Sequence, residues 1–229
     1  MFGRRRKFDR TIRERGVPPE HESERASDAI QTSGPFDVSD APEDVGDVLD
    51  FGALRIPANP GFEVRLEMTG QGVLQGVTLQ RGDSVMQLGV FAAPRSGGAW
   101  EQIRDDILGE AQKSSAKLTV EDGRFGPELR GVLAAPNGGT QAARFLGVDG
   151  PRWFLRGLIA GPAASDDDRS AEFEDVFAGI IVDRGTDPKP VREPITLRLP
   201  EALQKQVDAA AAQAREKAAQ AAAGGGSSS

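Results

Sequence analysis

From Phe62 onward the chain alternates. "FEVRLEM" sets Phe62, Val64, Leu66 and Met68 on one face and Glu63, Arg65 and Glu67 on the other, the period-two pattern of a half-buried strand. "VLQGVTL" and "SVMQLGVFA" continue as two more strands around the turn "QRGDS". After the breaker "PRSGG" the period changes, and Trp100, Ile103, Ile107 and Ala111 fall on one helical face. "KLTVE", "ELRGVLA", "QAARFLGV" and "RWFLRGLIA" read as four further strands. A second helix follows with Phe173, Val176, Phe177 and Ile180 at helical spacing, and "IIVD" closes the pattern. The order predicts an α+β domain, a mainly antiparallel sheet flanked by two helices. "GVFAAP" and "GLIAGP" repeat at an offset of 68 residues, each before a helix, a faint echo of an internal duplication.

The flanks look different. Residues 1–50 are rich in charge, Pro, Ser and Gly, so they are expected to form a disordered arm. Its first 16 residues carry seven Arg or Lys against two acids; residues 17–50 carry ten acids against Arg25. The net charge of −7 therefore leaves only −3 for residues 51–229, and no broad basic surface for nucleic acid is implied. Residues 51–200 are read as the single domain, residues 201–223 as an Ala-rich helix with too thin an apolar stripe to demand a core, and residues 224–229, "GGSSS" with its preceding Gly, as a flexible tail.

Composition narrows the chemistry. Cys and Tyr are absent and His21 is the single histidine, in the arm, so Ser-His-Asp and Cys-His nucleophiles and His/Cys zinc sites are excluded from the domain. A carboxylate pair or a Ser/Lys dyad remains formally open, although Lys113 and Lys117 sit at a helix-to-strand junction where an exposed charge is ordinary. "GQGVLQG" has the wrong glycine spacing for a dinucleotide site, no P-loop occurs, and no cofactor is implied. "SDDDRSAEFEDVF" has three successive Asp, but they stand where the second helix begins. There Ser165 or Asp166 serves as N-cap, and each negative charge gains about 0.3–1 kcal/mol from the helix dipole, so no metal site is expected. No apolar run is long enough to span a bilayer, and the basic N-terminus lacks the apolar segment of a signal peptide, which points to a cytoplasmic protein.

"GVDGPRWFLRGLIAG" holds the sharpest question. Reading "VDGP" as a hairpin across Asp149 and Gly150 sets Phe145 opposite Phe154 and Leu146 opposite Trp153. Trp153, Leu155 and Ile159 then share the core face with Leu146 and Val148, while Arg152, Phe154 and Arg156 share the other. Two readings stand. Either Arg152 and Arg156, joined by Arg130 if strand order allows, form a site for a small anionic ligand, or they are rim charges paired with acids. At the N-terminus, Arg4, Arg5, Arg6 and Lys7 lie between Phe2 and Phe8; they suit weak contact with anionic lipid or nucleic acid, or a return onto the acidic stretch.

With "GPFDVSD", "LDFGALRIP" and "FLGVDGPRWFLRGLIAG", the chain resembles an uncharacterised actinobacterial family, domain of unknown function 3710, over roughly residues 34–200. The resemblance implies no catalytic residues. The element order is also similar to that of the Mog1/PsbP-like proteins, an antiparallel sheet flanked by helices. With chemistry-poor composition and charged ends, the expectation is a non-enzymatic protein-interaction or adaptor module with an unidentified protein partner; a binder of small anions and an enzyme are the alternatives.

Overall fold

The computed structural model describes residues 34–200, apart from 71–72, 115 and 136–137. The basic cluster Arg4, Arg5, Arg6 and Lys7, residues 17–33 of the acidic stretch, the Ala-rich helix and the final tail lie outside the described residues. Strands β1 (Phe36–Asp37), β2 (Val48–Asp50) and β3 (Leu54–Pro57) precede β4 (Glu63–Met68), β5 (Leu74–Arg81) and β6 (Ser84–Ala92). Helix α1 (Ala99–Ala111) leads to β7 (Lys117–Gly123), β8 (Gly126–Ala134), β9 (Thr140–Gly150) and β10 (Trp153–Ala160); α2 (Asp167–Ala178) and β11 (Ile181–Val182) follow.

The main sheet has seven strands in the order β4-β5-β6-β10-β9-β8-β7, every neighbour antiparallel. From β4 onward the expected α+β order of three strands, helix, four strands, helix and short strand is therefore the order of the structure. A second sheet, β1-β11-β3-β2, is antiparallel except for the parallel pair β1–β11.

This small sheet corrects the expected arm. Residues 34–50 carry β1 and β2, Phe36 N–H donates to the Ile180 carbonyl at 2.8 Å, and Gly34 and Pro35 are buried. The domain therefore begins by residue 34 and not at 51. Strands of two and three residues are too short to show alternation, and the acids at their ends and between them serve the turns: Asp37, Asp44 and Asp50 each accept a backbone N–H two residues on.

The two faces of the main sheet are covered differently. On the inner face, α2 and the small sheet bury Phe51, Leu54, Ile56, Leu79, Met86, Leu146, Trp153, Leu155, Phe173 and Phe177 in one large cluster. On the outer face a smaller cluster joins Trp100, Ile103 and Ile107 of α1 to Leu129, Phe145 and Phe154, and α1 packs chiefly on β7, β8 and β9. A strap after β11 completes the domain: Ile195 N–H donates to the Val90 carbonyl, Leu197 N–H to Leu74 and Arg198 N–H to Phe51. No described helix is long and apolar enough to cross a membrane.

Helix α2 begins as its sequence dictates. Asp166 accepts the Arg169 N–H at 3.2 Å, with Asp167 and Asp168 in the first turn, so the triple Asp is a cap followed by dipole-facing charge. Helix α2 ends at Ala178 with Gly179 as its cap, so Ile180, expected on the helix, lies just beyond it and is buried.

Candidate functional site

The hairpin of β9 and β10 turns two residues later than expected. Gly150 pairs with Trp153, Asp149 with Phe154 and Gly157 with Leu146; Pro151 and Arg152 form the connection, with Arg152 at φ 63°. The pairing of Phe145 with Phe154 is thus corrected to Phe145 with Leu158. Pro151 supplies the fixed φ of a tight turn, and that preference outweighs the Asp-Gly signal. Because the slip is even, the faces stay as expected: Trp153, Leu155, Ile159, Leu146 and Val148 all join the inner cluster.

Nearly every residue of "GVDGPRWFLRG" has a structural duty. A methyl at Gly147 would overlap the Trp100 ring, and one at Gly150 would overlap Trp153, so these glycines are the seats of the two tryptophans. Asp149 caps α1 from another strand, accepting the Gly98 N–H at 3.2 Å and the Trp100 N–H at 3.2 Å, while the residue in the cap position, Gly98, has no side chain to do so. Burial pushes the Asp149 carboxyl above the usual carboxylate range, against the pull of those N–H groups. Trp153, 1% exposed, donates its indole N–H to Asp37 at 2.7 Å, which ties the string to "GPFD" across 116 residues. Phe154 stacks on Trp100 at 5.7 Å and on Phe91 at 6.0 Å.

The three arginines expected to act together are separated. Arg130 pairs in register with Arg144 on the inner face, whereas Arg156 pairs with Gly147 and Gly89 on the outer face. Antiparallel order places β9 between β8 and β10, so no side-chain reach joins Arg130 to Arg156. Arg152 stands in the turn, its carbonyl accepting the Ala93 N–H at 3.0 Å.

Arg130 belongs to a polar network that composition did not disclose. Arg144, 1% exposed, grips the equally buried Glu128 in a fork, Nε to Oε1 at 2.7 Å and Nη2 to Oε2 at 2.9 Å. Its Nη1 reaches Glu174 at 2.6 Å and the Ser170 hydroxyl, both on α2. Arg130 donates to Glu128 at 2.5 Å and to Asp167 at 2.8 Å. Although burial works against its charge, these carboxylates raise the Arg130 pKa, and Arg130 in turn lowers that of Asp167. The network pins α2 to β8 and β9, and every charge in it has a partner. Arg144 was detectable in principle: it falls in phase with Leu146 and Val148 on the face assigned to the core.

Arg156 is the contrast. Its guanidinium carbon lies 5.3 Å from the centroid of Phe91, not over Phe154 as the face pattern suggested. Its Nε is buried without a hydrogen-bond partner, and burial lowers its pKa against the weaker opposing pull of Glu67. Arg104 stands at the other end of the aromatic row, 6.0 Å from the centroid of Trp100. The outer face thus carries a ladder of Arg104, Trp100, Phe154, Phe91 and Arg156.

The family model described as "Protein of unknown function (DUF3710)" matches residues 34–206, which begins where the described fold begins and includes both "GPFD" and "GVDGPRWFLRG". The chain belongs to this family. Within the DUF3710 match, the two strings meet through the bond from Trp153 to Asp37, so this shared feature is a joint in the architecture. No curated protein and no solved structure matches the chain.

Proposed function

We propose that this DUF3710 protein is a non-enzymatic, cytoplasmic protein-binding module of the adaptor kind, of actinobacterial origin and with a Mog1/PsbP-like outline. The observation that carries the reading is the contrast between a closed interior and an open outer face. Glu128, the one buried acid among the described residues, and the partly buried Glu174 are both held by Arg144, and Asp149 is spent on capping α1. A carboxylate clamped in this way is poorly suited to moving protons. A surface cleft of 190 Å³ beside Leu74, Glu193 and Ile195 is small next to ligand pockets of roughly 300–1,000 Å³. The outer face of β4, β5 and β6, by contrast, lies to the side of the main packing of α1 and presents Glu63, Arg65, Glu67 and Gln87 as exposed side chains.

Affinity capture from native cytosol with the full chain, a core of residues 34–200, and a full chain with Arg4, Arg5, Arg6 and Lys7 changed to Ser tests the reading. One protein retained by the full chain in stoichiometric amount supports it. Loss with the core or the Ser variant maps the contact to the ends of the chain, and retention by all three maps it to the domain. Capture of nothing but nucleic acid or lipid, released by salt, overturns it in favour of an anionic surface contact.

A further inference from the structure

Cross-strand register places Arg156 beside Gly89 on β6, and Glu67 beside Gly76 on β5. Strands β5 and β6 are neighbours, paired as far as Val77 and Leu88, so Gly76 and Gly89 are the next positions of the same row. An arginine and a glutamate therefore stand at the two ends of one row with glycines between them. Glu67 is held by the Thr78 hydroxyl, and Arg156 lies against the Phe91 ring. The guanidinium feels the attraction of Glu67 across the glycines but closes no ion pair with it, and its Nε is buried without an acceptor. A desolvated cation left in this state is destabilising, whereas the same group closed by a carboxylate is not. Arg144, on the opposite face of the same sheet, shows what completion looks like in this domain: a fork on a carboxylate.

The geometry points to Arg156 as the anchor for a carboxylate borne on an acidic segment of a partner protein. This rests on the protein-binding reading above and names its point of contact. A carboxylate fits better than a phosphate for two reasons. Its planar pair of oxygens matches the guanidinium edge, and Glu67 at the far end of the row opposes a dianion more strongly than a monoanion. A protein fits better than a small molecule because Arg156 opens onto a sheet face outside the cleft beside Leu74 and Ile195, and a small ligand needs a concave site to bury most of its surface. Arginine backed by an aromatic ring is also a frequent anchor at protein interfaces.

The test is a titration of the full chain followed by the arginine Nε–H signals in a nitrogen–proton NMR spectrum, with Arg156 assigned from its loss in Arg156→Lys. The probes are an end-capped peptide of alternating Glu and Gly, and inorganic phosphate, at matched ionic strength. The Glu peptide is expected to move the Arg156 signal saturably while phosphate leaves it in place, and Arg156→Lys, which keeps the charge but not the fork, loses the response of its neighbours. Glu67→Gln is expected to strengthen the phosphate response about tenfold by removing the opposing charge. A signal that stays put at millimolar peptide, equal responses to peptide and phosphate, or neighbours of residue 156 that respond equally in the Lys variant overturns the assignment. A partner captured equally by wild type and Arg156→Lys leaves the protein-binding reading standing and removes Arg156 from it.

Discussion

Arg144 and Arg156 lie on adjacent strands of one sheet, and their side chains leave by opposite faces. Arg144 enters the face roofed by α2, where Glu128, Glu174 and Ser170 meet each part of its guanidinium. Arg156 enters the face that α1 leaves half covered and finds an aromatic ring and only the weak pull of Glu67, with which it closes no ion pair. A buried charge is stable only when its partners are buried with it, so the first arginine belongs to the fold and the second is open to something outside it. The same contrast separates the two acids with perturbed titration. Asp149 is desolvated and locked on a helix end, while Asp167 is exposed and held low by Arg130.

The most forceful way to break the comparison is to replace each arginine by a similar apolar chain. Arg144→Met strips the buried Glu128 of its fork, leaving it Arg130 alone, takes the arginine partner from Glu174, and is expected to cost about 3–5 kcal/mol in urea unfolding. Arg156→Met is expected to leave the unfolding midpoint unchanged or raise it, since it removes a desolvated charge and keeps contact with Phe91. Equal losses would erase the distinction between the faces.

Gly147→Ala asks how tightly α1 is seated. A methyl driven into the Trp100 ring is expected to cost about 1–3 kcal/mol and to disturb the stack with Phe154, which near-ultraviolet circular dichroism reads. Asp149→Ala is smaller, about 1 kcal/mol, because α1 loses a cap and keeps its apolar face. The pH dependence sharpens this. Asp149 has a folded pKa raised above its unfolded one, so the stability linked to its protonation is full below the unfolded value and is lost as pH rises through the folded value. Measured against Asp149→Asn, the wild type should therefore lose ground as pH climbs through that window.

Asp167 carries the opposite sign and the least effect. Its lowered pKa gives stability that is present above the unfolded pKa and fades as pH falls through the folded one. Asp167→Asn should flatten the acid limb of the stability profile slightly, and an unchanged limb would show that the bond to Arg130 does not persist in solution.

The hydrophobic period carried strand and helix identity, their order, and the face on which each residue of β9 and β10 lies. Register was less accessible, because a hairpin shifted by an even number of residues keeps every face and leaves no mark on the alternation. Strands β1 to β3 were hidden by their shortness and by acids that read as disorder. Arg144 offered two conflicting signals, a core phase and a charge, and charge by itself argues for the surface.

By itself the sequence determined an α+β chain with no cysteine, tyrosine or core histidine, an antiparallel succession of strands, an Asp-capped second helix and a buried Trp153. These follow from residue chemistry and spacing along the chain. Only the tertiary structure decided that Gly147 and Gly150 are seats for indole rings, that Asp149 caps a helix some fifty residues earlier in the chain, that Arg130 and Arg156 never meet, and that Arg144 is complete while Arg156 is not. Each of those depends on which groups distant in sequence share a face, and that is settled by strand order and register, which local patterning leaves open.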